Sequence, residues 1–292
     1  MTVQIASPLN GEATSPTLPV SVKLRQFAGR SRLVANFILG RQTLDPGVTV
    51  FNDDTWYVSY PRSGNTYWRF LTANLISQGK TVDWTNIERY APDIYVTRDS
   101  ILRTLPRPRY LKSHEAYKPA YRRVALIVRD PRDVAVSCFH FTKRWGMIPE
   151  EMQIDEFVPQ WIAGSFYTYG NWGEWHGSWI GARRDTPEFW IFRYEDMVTN
   201  PAEHLPRLAE ALKLQVKPED IQRAIENSRP DRLRELEKKQ RNKHKVLRDG
   251  KNTSSYVRAA TSGQWQEALS SASVAAIETA WATPMRDFGY LS

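Results

Sequence analysis

A lysine and a histidine two positions apart, Lys112 and His114, stand at and just beyond the end of a short strand-forming run, Arg109-Tyr-Leu-Lys112. Alternate side chains of extended chain share a face, so both can point to one place. An imidazole titrates near neutrality and can take a proton from a hydroxyl or amine. Two further segments bring anion chemistry. Tyr60-Pro-Arg-Ser-Gly-Asn-Thr-Tyr-Trp68 passes from a β-rich run through a small-residue turn into a helical pattern. Successive backbone N–H groups in such a turn face one point, and the helix N-terminus adds roughly half a positive charge. Arg62, Ser63 and Thr66 add side-chain donors, which makes this a phosphate cradle. In Arg129-Asp-Pro-Arg-Asp-Val-Ala-Val-Ser137, Arg129 ends an apolar run and Ser137 lies two turns into the next helix. A fixed guanidinium plus a hydroxyl can hold a second phosphate.

Each segment alone also has a plainer reading: a strand–helix turn, a histidine beside a basic neighbour, a helix cap with surface ion pairs. Together they place two anion cradles and a candidate base, in chain order, at strand ends. That set suits a nucleotide carrying phosphates at both its 5′ and 3′ positions. The nucleotide-triphosphatase pattern G-x-x-x-x-G-K-[ST] occurs nowhere in the chain.

The elements that must position these residues alternate. Thr55–Tyr60 reads as a strand ending at Pro61, and Thr66–Ser77 as a helix with Trp68, Leu71 and Leu75 at helical spacing. Val124–Val128 is a continuous apolar run, as expected of a parallel strand covered on both faces. Asp130 is a good N-cap, Pro131 suits the first helical position, and Val134, Cys138, Phe141 and Trp145 mark one apolar face. Phe189–Phe192 reads as a strand. Helices are expected after Asn200-Pro201, with a kink at Pro206, after Lys217-Pro218, and over Ser273–Trp281. Strand–helix alternation argues for one α/β domain with a mostly parallel sheet, whose ligands sit beyond the carboxyl ends of the strands. Residues 1–20 read as a loose tail.

Composition sets outer bounds. The 292 residues are 41% hydrophobic and 25% charged, which excludes a mostly disordered chain. The single cysteine, Cys138, excludes a disulfide framework and a cysteine-based zinc site, and fits a reducing compartment. No apolar run is long enough to span a bilayer, and no secretory or targeting signal is visible, so cytoplasm is the expected location. The net charge is +8. Residues 228–251 carry ten Lys/Arg and four Asp/Glu, a balance of +6. The stretch reads either as a solvated helix or as a basic lid over an anionic ligand. It has no interleaved aromatic residue, which weighs against single-stranded nucleic acid.

At these residues the chain resembles the cytosolic-type sulfotransferases, which use 3′-phosphoadenosine 5′-phosphosulfate (PAPS). The resemblance runs from about Trp56 to Trp265. It implies a single domain over residues 21–292, with a P-loop-like nucleotide-binding architecture. Pro61–Thr66 is similar to the family's 5′-phosphosulfate loop, so Arg62, Ser63, Gly64, Asn65 and Thr66 would bind the cofactor, with either Tyr67 or its neighbour Trp68 against the adenine. Arg129 and Ser137 are similar to its 3′-phosphate motif, and Ser228 is carried over with them. Lys112-Ser-His114 resembles the segment with the catalytic histidine. Tyr194-Glu-Asp-Met197 follows the fourth strand, where Tyr194 would approach the adenine. Tyr169-Gly-Asn-Trp172, His176 and Trp179 resemble the helix before that strand. Arg258…Gly263-x-Trp265 resembles the cofactor-closing motif. Tyr90 and Phe141 fall where the acceptor pocket is lined. The chain departs from the pattern in having Arg62 for a lysine, Ala259 and Ala260 for Lys-Gly, and Pro230 for an aromatic lid residue.

The resemblance implies sulfuryl transfer from PAPS to a hydroxyl or amine of a small hydrophobic or aromatic acceptor, leaving the 3′,5′-bisphosphate. His114 would act as base, and Arg62 and Lys112 would stabilise the leaving phosphate without a metal. Nucleic acid and membrane are not expected partners, and monomer or homodimer stays open. The alternatives are a family member that binds cofactor with lost or reduced catalysis, an ATP-dependent phosphotransferase and a nucleic-acid-binding module.

Overall fold

The computed structural model describes residues 47–244, Leu247 and residues 261–292. The tail expected over residues 1–20 lies outside them, as do Arg248, Lys251, Arg258, Ala259 and Ala260.

Among the described residues four strands form one sheet: β1 (Thr55–Ser59), β2 (Tyr110–Ser113), β3 (Arg123–Val128) and β4 (Phe189–Arg193), in the order β2-β1-β3-β4. All neighbours are parallel. The central pair is buried along its full length, as the apolar runs require. Side chains divide by parity. Trp56, Val58, Val124, Leu126 and Val128 enter one core, and Tyr57, Ala125 and Ile127 enter the other. Each face is covered by helices, the arrangement that satisfies a parallel sheet.

Register positions the site. Val58 stands opposite Ser113 and Leu126, and Val128 opposite Arg193. The four strands therefore end along one edge. The residues that follow them leave together: the turn 60–64, His114, Arg129 and Tyr194. Helices start from three of these ends: α1 (Asn65–Ile76) after β1, α4 (Pro131–Arg144) after β3, and the short helix at Tyr194 after β4. At α4, Asp130 accepts from the Arg132 N–H at 2.9 Å with Pro131 at the first helical position, as the sequence predicts. Its buried surface is wider than one stripe, since Ala135, Val136 and Thr142 are also enclosed.

Short helices α2 (Ile87–Tyr90) and α3 (Asp99–Leu102) lie between β1 and β2 in sequence. Then come α5 (Ile154–Ile162), α6 (Trp172–Arg183), α7 (Tyr194–Thr199), α8 (Pro201–Ala211), α9 (Pro218–Asn227), α10 (Pro230–Gln240), α11 (Trp265–Ala268) and α12 (Ser271–Asp287). Helix α8 continues through Pro206 as one element, where the sequence predicts a kink. The kink falls in α12 instead. Trp281 has φ −132° and ψ 31°, three residues before Pro284. A proline offers no N–H to the carbonyl four residues back and crowds it.

Candidate functional site

The turn after β1 is built around two left-handed residues, Arg62 at φ 69° and Gly64 at φ 88°. A side chain at Gly64 would overlap Cδ2 and Cε2 of Tyr194, so only glycine lets the first turn pack on the start of α7. Arg62 has no such licence. A left-handed non-glycine residue costs about 1–2 kcal/mol and must be held. Its carbonyl accepts from Arg129 Nη1 at 3.1 Å, and its Nε donates to Ser137 Oγ at 3.2 Å. Its guanidinium lies 4.8 Å from the Phe141 ring centre. The N-terminus of α1 has no side-chain cap, so its first N–H groups have no intrahelical partner. Ser63 is fully buried and its Oγ has no hydrogen-bond partner among the described residues.

Arg129 joins the second segment to the first. Besides the Arg62 carbonyl, it donates through Nη2 to the Thr261 carbonyl at 3.3 Å and lies 4.5 Å from the Tyr194 ring centre. Asp133 stands 3.7 Å from it. The same carboxylate accepts the N–H groups of Gly263 at 2.8 Å and Trp265 at 3.1 Å. Arg132 covers the Trp265 ring at 4.0 Å. The Gly263-x-Trp265 segment is thereby fastened to the first turn of α4. In sequence Asp133 is marked only as an acid in the first turn of α4, and nothing there signals this role.

His114 is half-buried at the end of β2. Its Nδ1 lies 2.8 Å from the Ser59 carbonyl oxygen. A carbonyl only accepts, so Nδ1 carries the proton. The 3.4 Å approach of Asn65 Nδ2 to the same nitrogen is then donor against donor. Nε2 is left as the basic nitrogen. The main-chain N–H donates to Tyr95 Oη at 2.9 Å, and the carbonyl accepts from Trp175 Nε1 at 2.8 Å. Burial, then the Lys112 and Arg62 charges, hold the imidazole well below its ordinary pKa, so it is neutral at pH 7. Tyr95 stacks on it with ring centres 5.8 Å apart, and Tyr169 lies at 5.8 Å.

Lys112 shares the end of β2, but its Nζ pairs with Asp93 Oδ2 at 3.0 Å and lies 4.7 Å from the Tyr95 ring centre. Burial lowers its pKa, with Asp93 opposing. Asp93 and Tyr95 were not singled out from sequence; no spacing marks them, and only the pairing of Asp93 with Lys112 brings them in. Trp68 faces the core against Phe192, which leaves Tyr67 as the partly buried aromatic of that pair. Ser228 is buried at the end of α9, where its Oγ accepts from Asn74 Nδ2 at 3.2 Å. Tyr90 packs on the cluster of Phe70, Trp84 and Leu233, whereas the ring partners of His114 are Tyr95 and Tyr169. Among the described residues no group of three His, Cys, Asp or Glu could hold a metal ion.

The turn after β1, Arg129 with Ser137, and a neutral His114 are thus grouped at the carboxyl edge of a parallel sheet. The sulfotransferase domain model matches residues 52–289, and the chain belongs to that family, in its cytosolic type. It is 24% identical over 189 residues to guinea-pig (Cavia porcellus) 3-beta-hydroxysteroid sulfotransferase, covering 61% of this chain and 65% of the relative. It is 23% identical over 198 residues to mouse (Mus musculus) sulfotransferase 1B1, covering 62% and 66%. The match thus spans just under two thirds of these relatives' length. Mouse sulfotransferase SULT7A1 complexed with PAP has the same fold, with TM-score 0.66, 21% identity and coverage of 87% and 90%. Retinol dehydratase in a complex with retinol and PAP aligns with TM-score 0.67, 18% identity and coverage of 85% and 86%.

Proposed function

We propose that this protein transfers a sulfuryl group from PAPS to a hydroxyl or amine of a small apolar or aromatic acceptor. Family membership supports the class. The observation that carries the reading is the state of His114: neutral, fixed with Nε2 as acceptor, and adjoining two linked anion cradles.

The residues present fit the cofactor. Among the described residues Ser63 Oγ and Arg129 Nε are buried without hydrogen-bond partners, the condition a phosphate oxygen relieves. Arg62, Ser63, Gly64, Asn65 and Thr66 would hold the 5′ end, Arg129 and Ser137 the 3′-phosphate, and Tyr67 and Tyr194 the adenine. Ser228, Arg258 and Gly263 complete the proposed set. When bound, PAPS supplies the activated sulfuryl group. The protein's part is alignment, charge stabilisation and proton removal.

Arg62 would stabilise the leaving phosphate. Lys112 acts from within its pair with Asp93, so its net field is smaller and Arg62 carries the larger share. His114 Nε2 takes the acceptor's proton. Its depressed pKa would make it a weak base, but an anion beside Arg62 opposes the two cations that depress it. The imidazole then moves back toward neutrality, where a general base works best. Tyr95 and Tyr169 offer flat apolar surface beside it, which favours an aromatic acceptor; Phe141 and Tyr90 would line the same pocket further out.

The test is sulfuryl transfer from labelled PAPS to a panel of phenols and alcohols, with His114→Ala as comparison. General-base removal costs roughly 10²–10⁴-fold in turnover, while affinity for 3′,5′-adenosine bisphosphate stays nearly unchanged. Activity within tenfold of wild type would remove His114 from the role of base. No stabilisation by the bisphosphate in a thermal melt, against ATP–magnesium, would overturn the cofactor assignment.

A further inference from the structure

The segment that carries His114 has left the sheet. Strand β2 lies at the sheet's edge and ends at Ser113, opposite Val58 of β1. Residues 114–117 are half-buried, and main-chain N–H and C=O groups withdrawn from water need partners. Helix α6 supplies three of them. Trp175 Nε1 donates to the His114 carbonyl at 2.8 Å, and Trp179 Nε1 donates to the Glu115 carbonyl at 3.1 Å. Ser178 Oγ accepts from the Tyr117 N–H at 3.1 Å. Residues three and four apart share one face of a helix, so Trp175, Ser178 and Trp179 meet the segment as one surface.

The N–H groups of the same two residues go to hydroxyls. His114 donates to Tyr95 Oη at 2.9 Å and Glu115 to Ser113 Oγ at 3.0 Å. The Tyr95 hydroxyl gives its own proton to Glu115 Oε1 at 2.9 Å, so its lone pairs are left for the His114 N–H. Helix α6 is itself well anchored. Asn171 caps it by accepting from the Glu174 N–H at 2.9 Å, and Trp172, Trp175, His176 and Trp179 are all buried. Two of these indoles differ in one respect. Trp175 Nε1 reaches the His114 carbonyl, whereas Trp172 Nε1 has no hydrogen-bond partner among the described residues. On one helix, three residues apart, the same side chain packs once with a bond to the histidine and once without it.

We propose that Trp175 is a positioning residue for His114. Trp175 holds the carbonyl and Tyr95 holds the N–H, which sets the direction in which the side chain leaves the backbone. The bond from Nδ1 to the Ser59 carbonyl at 2.8 Å then fixes the ring, and Nε2 is aimed. Ser178 and Trp179 extend the same support to the following residues. A misplacement of about 1 Å at a reacting group can cost roughly 10²-fold in rate. The catalytic consequence rests on the reading of His114 as the base; the aim of the ring does not.

The test compares Trp175→Phe with Trp172→Phe in the full chain, labelled with ¹⁵N-histidine. Both variants remove a buried indole N–H and leave a similar cavity, but only the first breaks a bond to His114. The His114 ring signals are assigned with His114→Gln. They are expected to report one tautomer, protonated at Nδ1, in wild type and Trp172→Phe, and to average between tautomers in Trp175→Phe. With PAPS and a phenol panel, kcat in Trp175→Phe should fall roughly 10–100-fold, while KM and bisphosphate affinity stay nearly unchanged. A single Nδ1–H tautomer with wild-type kcat in Trp175→Phe would overturn the proposal, and so would equal losses in the two variants, since packing alone would then explain both. If Trp175→Phe does not fold, Ser178→Ala decides, because it opens almost no cavity: unmoved His114 signals there would overturn the support from α6. If His114→Ala keeps full turnover, the base reading falls and the ring signals alone decide the role of Trp175.

Discussion

Replacing Gly64 by alanine should damage the protein in a way that depends on one distant residue. The left-handed backbone costs alanine about 1–2 kcal/mol. The added Cβ overlaps the Tyr194 ring, which must move. That ring is the platform for Arg129 at 4.5 Å, and a cation–π contact contributes about 0.5–2 kcal/mol. Displacing it also loosens Arg129 from the Arg62 carbonyl. The sum is about 2–4 kcal/mol, or a fall of roughly 4–8 °C in melting temperature for a chain of this size. Tyr194→Ala removes the obstruction. In that background Gly64→Ala should cost only its backbone share, so a double-mutant cycle in urea should show a coupling of about 1–2 kcal/mol. Bisphosphate affinity should fall at least tenfold in Gly64→Ala. Additivity within about 0.5 kcal/mol, the behaviour of sites without shared contacts, would refute the packing of the first turn on Tyr194.

Two further outcomes follow from buried charge. His176 is fully buried, its Nδ1 donates to the Trp172 carbonyl at 2.7 Å, and burial pushes its pKa down to about 3. Between pH 6.5 and 5 the unfolded imidazole takes a proton that the folded one refuses, so stability falls with falling pH by about 1.5–2 kcal/mol. His114 is depressed in the same direction and adds up to as much again. In His176→Phe the drop in urea midpoint between these two pH values should shrink by about half, and an unchanged drop would count against the assignment. Asp93→Asn leaves the Lys112 ammonium buried without its counter-charge, which costs about 3–5 kcal/mol. The double variant Asp93→Asn, Lys112→Met should recover most of that, and wild-type stability in Asp93→Asn alone would mean the pair is solvated.

The strands and the three segments after them were legible because local rules govern them. A continuous apolar run has one use in a parallel sheet, and Asp130-Pro131 marks a helix start whatever the tertiary context. The kink was misplaced for an instructive reason. Pro206 and Pro284 carry the same local cost, but α8 buries Leu205 and Leu208 on the sheet and stays one element. Helix α12 bends where Trp281 turns into the core beside Trp161 and Trp172. Packing, not propensity, chose which proline is tolerated. The partners of Lys112 and His114 were illegible for a related reason. Asp93 and Tyr95 come from a loop distant from β2 in sequence with no period or motif to connect them, and the motif containing Tyr169 gives no sign that its ring lies beside His114.

Arg62 shows what the fold adds to a motif. Read in sequence, it is an arginine where a lysine is expected, a cation kept with altered shape. In three dimensions it holds the two cradles together. Its carbonyl is fixed by Arg129, and its Nε by Ser137, both from the second cradle. A lysine carries its donors on one terminal nitrogen and cannot present a donor at the Nε position while its charge lies further out. The planar fork separates the two tasks: Nε bonds within the protein, and the charge sits beyond it against Phe141. The strained backbone at φ 69° is then a consequence of the fastening. Arg129 extends the same fastening to Thr261, and Asp133 extends it to Gly263 and Trp265. The first cradle, the second cradle and the described part of the closing segment therefore form one connected set of contacts. A ligand that engages any one of them works against a support already built by the other two.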